Sequence, residues 1–216
     1  MVANPIYSAY ERRLFRQLRD KPLPRHVGVM LDGNRRWARL RGADTDEGYR
    51  AGADNISNLL TWCEEVGVEV VTLWLLSTDN LVGRGAEELG PLLTIIEDVV
   101  DELAATRRWR INPVGALEEL PEATAQRLRD AAEATDEVDG LLVNIAVGYG
   151  GRREIADAVR ALIRDHATQG TSMDELADII DVEHISEYLY TKGQPDPDLV
   201  IRTSGEQRIS GFLMWQ

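Results

Sequence analysis

The 216-residue chain is poor in several things at once: it has one cysteine (Cys63), two phenylalanines, three histidines, and only 24 basic side chains against 37 acidic ones. A single cysteine excludes an internal disulfide, and a reducing, cytoplasmic compartment fits such a chain. With one cysteine and three scattered histidines (His26, His166, His184) no zinc-type ligand cluster can be built, so any metal would be a hard cation held by carboxylates. The net charge of −13 argues against general nucleic-acid binding, which needs a basic footprint, and against simple adsorption of the whole chain to anionic lipid. No apolar run is long enough to span a bilayer, and the N-terminus, MVANPIYSAYERRLFRQLRD, has no apolar signal core. A phosphate-bearing partner would therefore need a local basic pocket, which makes local arginine clusters worth following.

What the chain does have is apolar residues, 44% of the total, enough for a sizeable core, in an alternating pattern. HVGVMLD (26–32) is a short run rich in β-branched residues, and VEVVTLWLLS (68–77) and LLVNIAVGYG (141–150) are near-continuous apolar strands. A further strand is expected around 109–115, DLVIRTSGE (198–206) reads as strand into loop, and GFLMW (211–215) as another strand. Helical spacing marks 51–66, 86–105, 121–134 and 152–165, with short helices between 172 and 190. Strands apolar on both faces and separated by helices predict a single α/β domain, with a central, mainly parallel sheet flanked by helices. Residues 1–22 read as an N-terminal helical segment, amphipathic over roughly 7–19, whose packing partner is not readable; 23–216 form the main domain.

In such sheets ligands bind at the carboxyl ends of the strands. Four polar stretches follow the apolar runs: Asp32-Gly33-Asn34-Arg35-Arg36, Ser77-Thr78-Asp79-Asn80, Gly148-Tyr149-Gly150-Gly151-Arg152, and Arg202 to Arg208. All four can gather at one sheet edge, with the chemistry of a site for phosphate groups plus one metal. Asp32 reads equally well as a helix cap. Gly33 favours function, because it lets backbone N–H groups approach an anion at a helix start. Arginines 35, 36, 39 and 41 could be solvated helix charge, but guanidiniums suit bidentate phosphate contacts, and Trp37 is expected to pack inward. GYGGRRE (148–154) lacks the third glycine of a dinucleotide fingerprint and reads at least as well as a tight strand–helix turn. Arg202 and Arg208 on one loop form an anion clamp that Arg152 could join. An aspartyl-phosphate phosphatase is disfavoured, because Asn34 stands where its second acid belongs.

HVGVMLDGNRRWARLRG, LLSTDN, VGYGGRREI and DLVIRTSGEQRISGFLMWQ occur in this order from His26 to Gln216, and together they resemble the cis-prenyltransferases, the (Z)-isoprenyl diphosphate synthases. The resemblance implies Mg²⁺-dependent condensation of isopentenyl diphosphate with an allylic diphosphate, in a homodimer with at most peripheral membrane contact. It implies Asp32 as the catalytic, metal-handling acid and Asn80 as a catalytic neighbour of the reacting groups. Gly33, Asn34, Arg35, Arg36 and Trp37 would surround the allylic diphosphate, with Ser77 and Arg84 on the next loop. Arg202, Arg208 and Ser210 would clamp isopentenyl diphosphate. Thr45 and Tyr49 stand where the family carries an arginine and a histidine, with Arg50 or Arg39 as substitutes. Leu81 replaces an aromatic, and Arg84 is shifted by one residue. In the family W-Q continues into a Y-x-E segment whose acid also binds Mg²⁺; the chain given stops at Gln216, which reads as a C-terminal truncation. Bulky Trp74 and Leu75, where long-chain members carry smaller groups, predict a short product, (2Z,6E)-farnesyl diphosphate from geranyl diphosphate. The alternatives are a longer-chain synthase and a non-catalytic partner subunit of the same fold.

Overall fold

A computed structural model describes residues 5–216; residues 1–4 of the N-terminal segment lie outside the described residues. The strands are β1 (His26–Met30), β2 (Val70–Ser77), β3 (Arg110–Val114), β4 (Leu142–Tyr149) and β5 (Leu199–Arg202). Among the described residues they form one sheet in the order β3-β4-β2-β1-β5, with every neighbouring pair parallel. The helices are α1 (Pro5–Leu18), α2 (Asn34–Arg41), α3 (Thr45–Ala53), α4 (Ile56–Val66), α5 (Thr78–Gly83), α6 (Ala86–Thr106), α7 (Glu122–Thr135), α8 (Gly151–Thr168), α9 (Met173–Ile179) and α10 (Val182–Ser186).

The main core lies on one face of the sheet. Leu60 of α4, Leu103 of α6 and Leu128 of α7 pack against Val71, Leu73, Val143 and Ile145 of the central strands, all of them buried. Each such leucine contributes about 1.5–3 kcal/mol by leaving water. The other face carries a smaller cluster of Met30, Val114, Ala146, Tyr149, Phe212 and Leu213. The segment 211–215, expected as a strand, is instead a turn that builds this cluster. Ser210, Gly211 and Leu213 all take positive φ (48°, 84° and 46°), which no strand accommodates. Phe212 stacks on Trp74 with ring centroids 5.1 Å apart, so the apolar residues cap a sheet face and pair with no strand.

A polar row crosses the amino half of the same sheet. His26 Nδ1 meets the Pro195 carbonyl at 2.7 Å, and an oxygen that only accepts requires the proton on Nδ1. Nε2 therefore accepts from the Thr72 hydroxyl (2.8 Å), and Thr72 in turn accepts from the Asn144 amide (2.8 Å). Asn144 also donates to Gln194 (2.6 Å) and accepts from Asn112 (2.7 Å). His26, Thr72 and Asn144 are fully buried, and burial holds the imidazole pKa of His26 below its ordinary value. His166 and His184, distant in sequence, meet at a ring-nitrogen distance of 3.0 Å and tie α10 to α8.

Candidate active site

At the opposite, carboxyl end of the sheet lies a cavity of about 700 Å³. Its head is built on the turn after β1. Asp32 does not cap α2. That position belongs to Gly33, whose φ of 96° suits glycine and whose carbonyl accepts from Trp37 N–H at 2.9 Å. The carboxylate is instead gripped from β5 and the loop after it. Arg202 donates through Nε (2.8 Å) and Nη2 (2.5 Å) to Oδ2, and Ser204 Oγ adds a third bond to the same oxygen at 2.8 Å. Among the described residues Oδ1 accepts only the Gly33 N–H, at 2.8 Å, and is the oxygen left for a further partner. Burial alone would raise the Asp32 pKa, but Arg202, Ser204 and the Gly33 N–H outweigh it and hold the group below its ordinary value. Asp32 is thus a carboxylate at neutral pH.

Two carboxylates flank Asp32, each surrounded by cations. Glu206 meets Arg36 (3.0 Å), Arg202 (3.1 Å) and Arg208 (2.9 Å). Glu88 of α6 meets Arg84 (2.6 Å) and Arg35 (3.3 Å), and the Tyr49 hydroxyl donates to it at 3.0 Å. Arg84 also donates to the Tyr49 oxygen, which ties α3, α5 and α6 together at the rim. Guanidiniums that converge on one carboxylate are spaced to converge on a diphosphate oxygen as well.

Below this charged head the cavity becomes apolar. Tyr49, Ala53 and Ile56 form one wall, Leu92, Ile95, Ile96 and Val99 of α6 another, and Leu75 and Leu76 the sheet side. Asp32, Gly33, Asn34, Arg35, Arg36, Trp74, Leu75, Ser77, Asn80, Arg84, Arg202, Arg208 and Ser210 all line the cavity. Ser77 Oγ also caps α5 by accepting the Asn80 N–H at 3.1 Å. Successive strand residues face opposite ways, except at the register shift after Trp74, which leaves Leu75 and Leu76 on the same side. Leu75 accordingly packs with the main core, whereas the Trp74 indole lies on the other face against Phe212 and Tyr149.

Several expectations are corrected here. Trp37 does not pack inward and is absent from the cavity wall: it is 38% exposed, with the Arg41 guanidinium 4.8 Å above its ring. The cause is the α2–α3 contact, where Ala38 is buried and a Cβ on Gly48 would lie 2.4 Å from the Asn34 carbonyl oxygen. Only small residues fit between these helices, so the indole is turned outward. The loop 148–152 stays out of the cavity, and Arg152 does not join the clamp. Its glycines serve packing: Gly151 N–H donates to the Gly211 carbonyl at 2.8 Å, where a Cβ would clash at 2.6 Å. Of the two suggested substitutes for the missing basic contacts, Arg39 lines the cavity, while Arg50 pairs with Asp98 at 3.7 Å. Sequence reasoning missed Ser204, Glu206 and Glu88 as site residues. Ser204 and Glu206 were legible as part of the Arg202–Arg208 loop; Glu88 had no signal beyond an ordinary helix-start acid.

Residues 30–216 match the family model described as "Putative undecaprenyl diphosphate synthase". The chain is 62% identical to a (2Z,6E)-farnesyl diphosphate synthase of Thermobifida fusca, covering 98% of this chain and 83% of that protein. It is 55% identical to a (2Z,6E)-farnesyl diphosphate synthase of Mycobacterium tuberculosis, covering 100% of this chain and 83% of that protein. Among solved structures, lavandulyl diphosphate synthase from Lavandula x intermedia, in complex with dimethylallyl diphosphate, superposes with a TM-score of 0.81 at 32% identity, covering 89% of this chain and 83% of that one.

Proposed function

The chain belongs to the cis-prenyltransferase family, the family of undecaprenyl diphosphate synthase, and we propose that it condenses isopentenyl diphosphate with a short allylic diphosphate to give a short Z-prenyl diphosphate. The observation that carries this reading is a cavity whose head is lined with arginines around Asp32 and whose depth is apolar, the shape of a diphosphate joined to a hydrocarbon tail. The named activity of the Thermobifida fusca and Mycobacterium tuberculosis relatives supports (2Z,6E)-farnesyl diphosphate as the product.

In this reading Arg36, Arg202 and Arg208 hold one diphosphate where they now hold Glu206. Gly33, Asn34 and Arg35 hold the allylic diphosphate at the start of α2, where the first helical N–H groups have no partner within the helix. Charge that gathers on the departing diphosphate is stabilised by these preoriented donors. The apolar walls of α3, α4 and α6 keep water from the allylic cation. Asn80 lines the same cavity and would orient the reacting groups there.

The donor set also fits Mg²⁺. That ion is usually held by one or two carboxylates plus substrate phosphates, not by an all-protein cage. Asp32 presents Oδ1 at the head, and among the described residues no group of three metal-ligating side chains is present to form a cage. Bound there, Mg²⁺ would neutralise diphosphate charge.

Incubation with isopentenyl diphosphate and dimethylallyl, geranyl or farnesyl diphosphate, with and without Mg²⁺, tests the reading. Mg²⁺-dependent formation of a C15 Z,E product from geranyl diphosphate is expected. Absence of labelled isopentenyl diphosphate from the lipid fraction would refute it. Leu75→Ala opens the apolar wall and is expected to lengthen the product; an unchanged chain length removes Leu75 from the limit on growth.

A further inference from the structure

The N-terminal helix is at odds with the rest of the molecule. From Ala9 to Lys21 the chain carries five basic side chains (Arg12, Arg13, Arg16, Arg19, Lys21) and two acidic ones (Glu11, Asp20), within a protein of net charge −13. On a helical wheel of 100° per residue, Tyr10, Leu14, Phe15 and Leu18 of α1 fall within one arc of about 140°. Arg12, Arg13 and Arg16 fill the opposite arc, and Arg19 follows in the turn after the helix. The apolar face is uncovered: Tyr10 is 56% exposed, Phe15 41%, Leu18 39% and Leu14 38%. Among the described residues, the only side-chain hydrogen bond of α1 is internal, from Arg16 Nε to the Arg12 carbonyl at 3.3 Å. Among the described residues, none of α1 lines the cavity around Asp32.

We infer that α1 is an interfacial membrane anchor that lies in the surface of an anionic lipid bilayer, with Tyr10, Leu14, Phe15 and Leu18 inserted and the arginines among the lipid phosphates. The pairing of a basic arc with a face of large apolar residues selects this occupant over a second copy of the chain. A basic amphipathic helix with large apolar residues on one face is the pattern that binds anionic interfaces. The acidic body does not prevent this, because charges more than about 8–10 Å apart are largely screened at physiological salt. The inference rests on α1 alone and does not depend on the proposed reaction.

Flotation of the full chain with vesicles tests it. Wild type is expected to float with equimolar phosphatidylglycerol–phosphatidylcholine vesicles at least tenfold more than with pure phosphatidylcholine, and to be released by high salt. The double variants Leu14→Glu/Phe15→Glu and Arg12→Glu/Arg16→Glu are each expected to lose at least tenfold of that binding while turnover in solution is unchanged. Equal flotation on neutral and anionic vesicles, flotation of either variant at the wild-type level, or no flotation of wild type overturns the inference. A wild type that stays off vesicles while Leu14→Glu/Phe15→Glu reduces its size on a sizing column assigns the helix to a contact between copies.

Discussion

The two ends of the sheet treat polar groups in opposite ways. At the amino half, His26, Thr72 and Asn144 are fully buried and, with half-buried Asn112, one from each of four adjacent strands, form a neutral row closed by Gln194 and the Pro195 carbonyl. At the carboxyl end, Asp32 and Glu206 with Arg36, Arg202 and Arg208, and Glu88 with Arg35 and Arg84, form two charged clusters whose arginines line a cavity. A neutral group can be buried if every donor and acceptor is matched, and the row then stabilises the fold. A set of charges tolerates burial poorly and stays near solvent, where its partners can be exchanged. One end is therefore built for stability and the other for exchange, and variants should separate the two properties.

The largest effect is expected from Asp32→Ala. Turnover of labelled isopentenyl diphosphate should fall about 10³-fold, roughly 4 kcal/mol of transition-state stabilisation, while the circular dichroism melt keeps its cooperativity. Near-wild-type activity would remove Asp32 from the chemistry. Asn144→Leu should do the reverse. It takes one bond from the buried Thr72 hydroxyl and leaves the half-buried amides of Asn112 and Gln194 short of a partner, and should cost about 3 kcal/mol of stability, at about 1–3 kcal/mol for each group left unpaired, with KM values unchanged. A KM shift without a loss of stability would mean that the two ends are not separable.

Arg208→Ala removes a side chain that is 70% exposed and bound only to Glu206. Its KM for isopentenyl diphosphate should rise about tenfold, about 1.4 kcal/mol of binding, with no change in melting temperature. The smallest effect concerns pH. His26 has its folded-state pKa below the ordinary 6.5, so the unfolded chain binds the proton first as pH falls. This stability is complete well above pH 6.5 and declines below it, by roughly 1 kcal/mol at most between pH 6.5 and 5.5. Thermal melts across that interval should show the decline in wild type and flatten in His26→Gln; parallel curves would assign the acid sensitivity elsewhere.

Much of the sheet was readable because its strands are apolar on both faces, which only a covered parallel sheet requires. The predicted runs at 26–32, 68–77 and 141–150 match β1, β2 and β4 within two residues at each end. The failures have one physical origin. Whether Trp37 turns in or out depends on how closely α3 approaches α2, and whether 211–215 pairs or folds over depends on Trp74 and Tyr149 waiting beneath it. Neither fact is local.

The sequence by itself determined the alternation of strand and helix, the acidic background against which the arginine-bearing loops stand out, and the family. Hydrophobic period and local residue chemistry need only neighbouring positions to be read. Tertiary structure alone decided that Arg202 and Ser204 grip Asp32 across about 170 residues of chain, that Tyr49 joins Arg84 and Glu88, and that the glycines of 148–151 pack against neighbouring segments. These are pairings of groups remote in sequence, and their partners are chosen by the packing of the sheet and its helices.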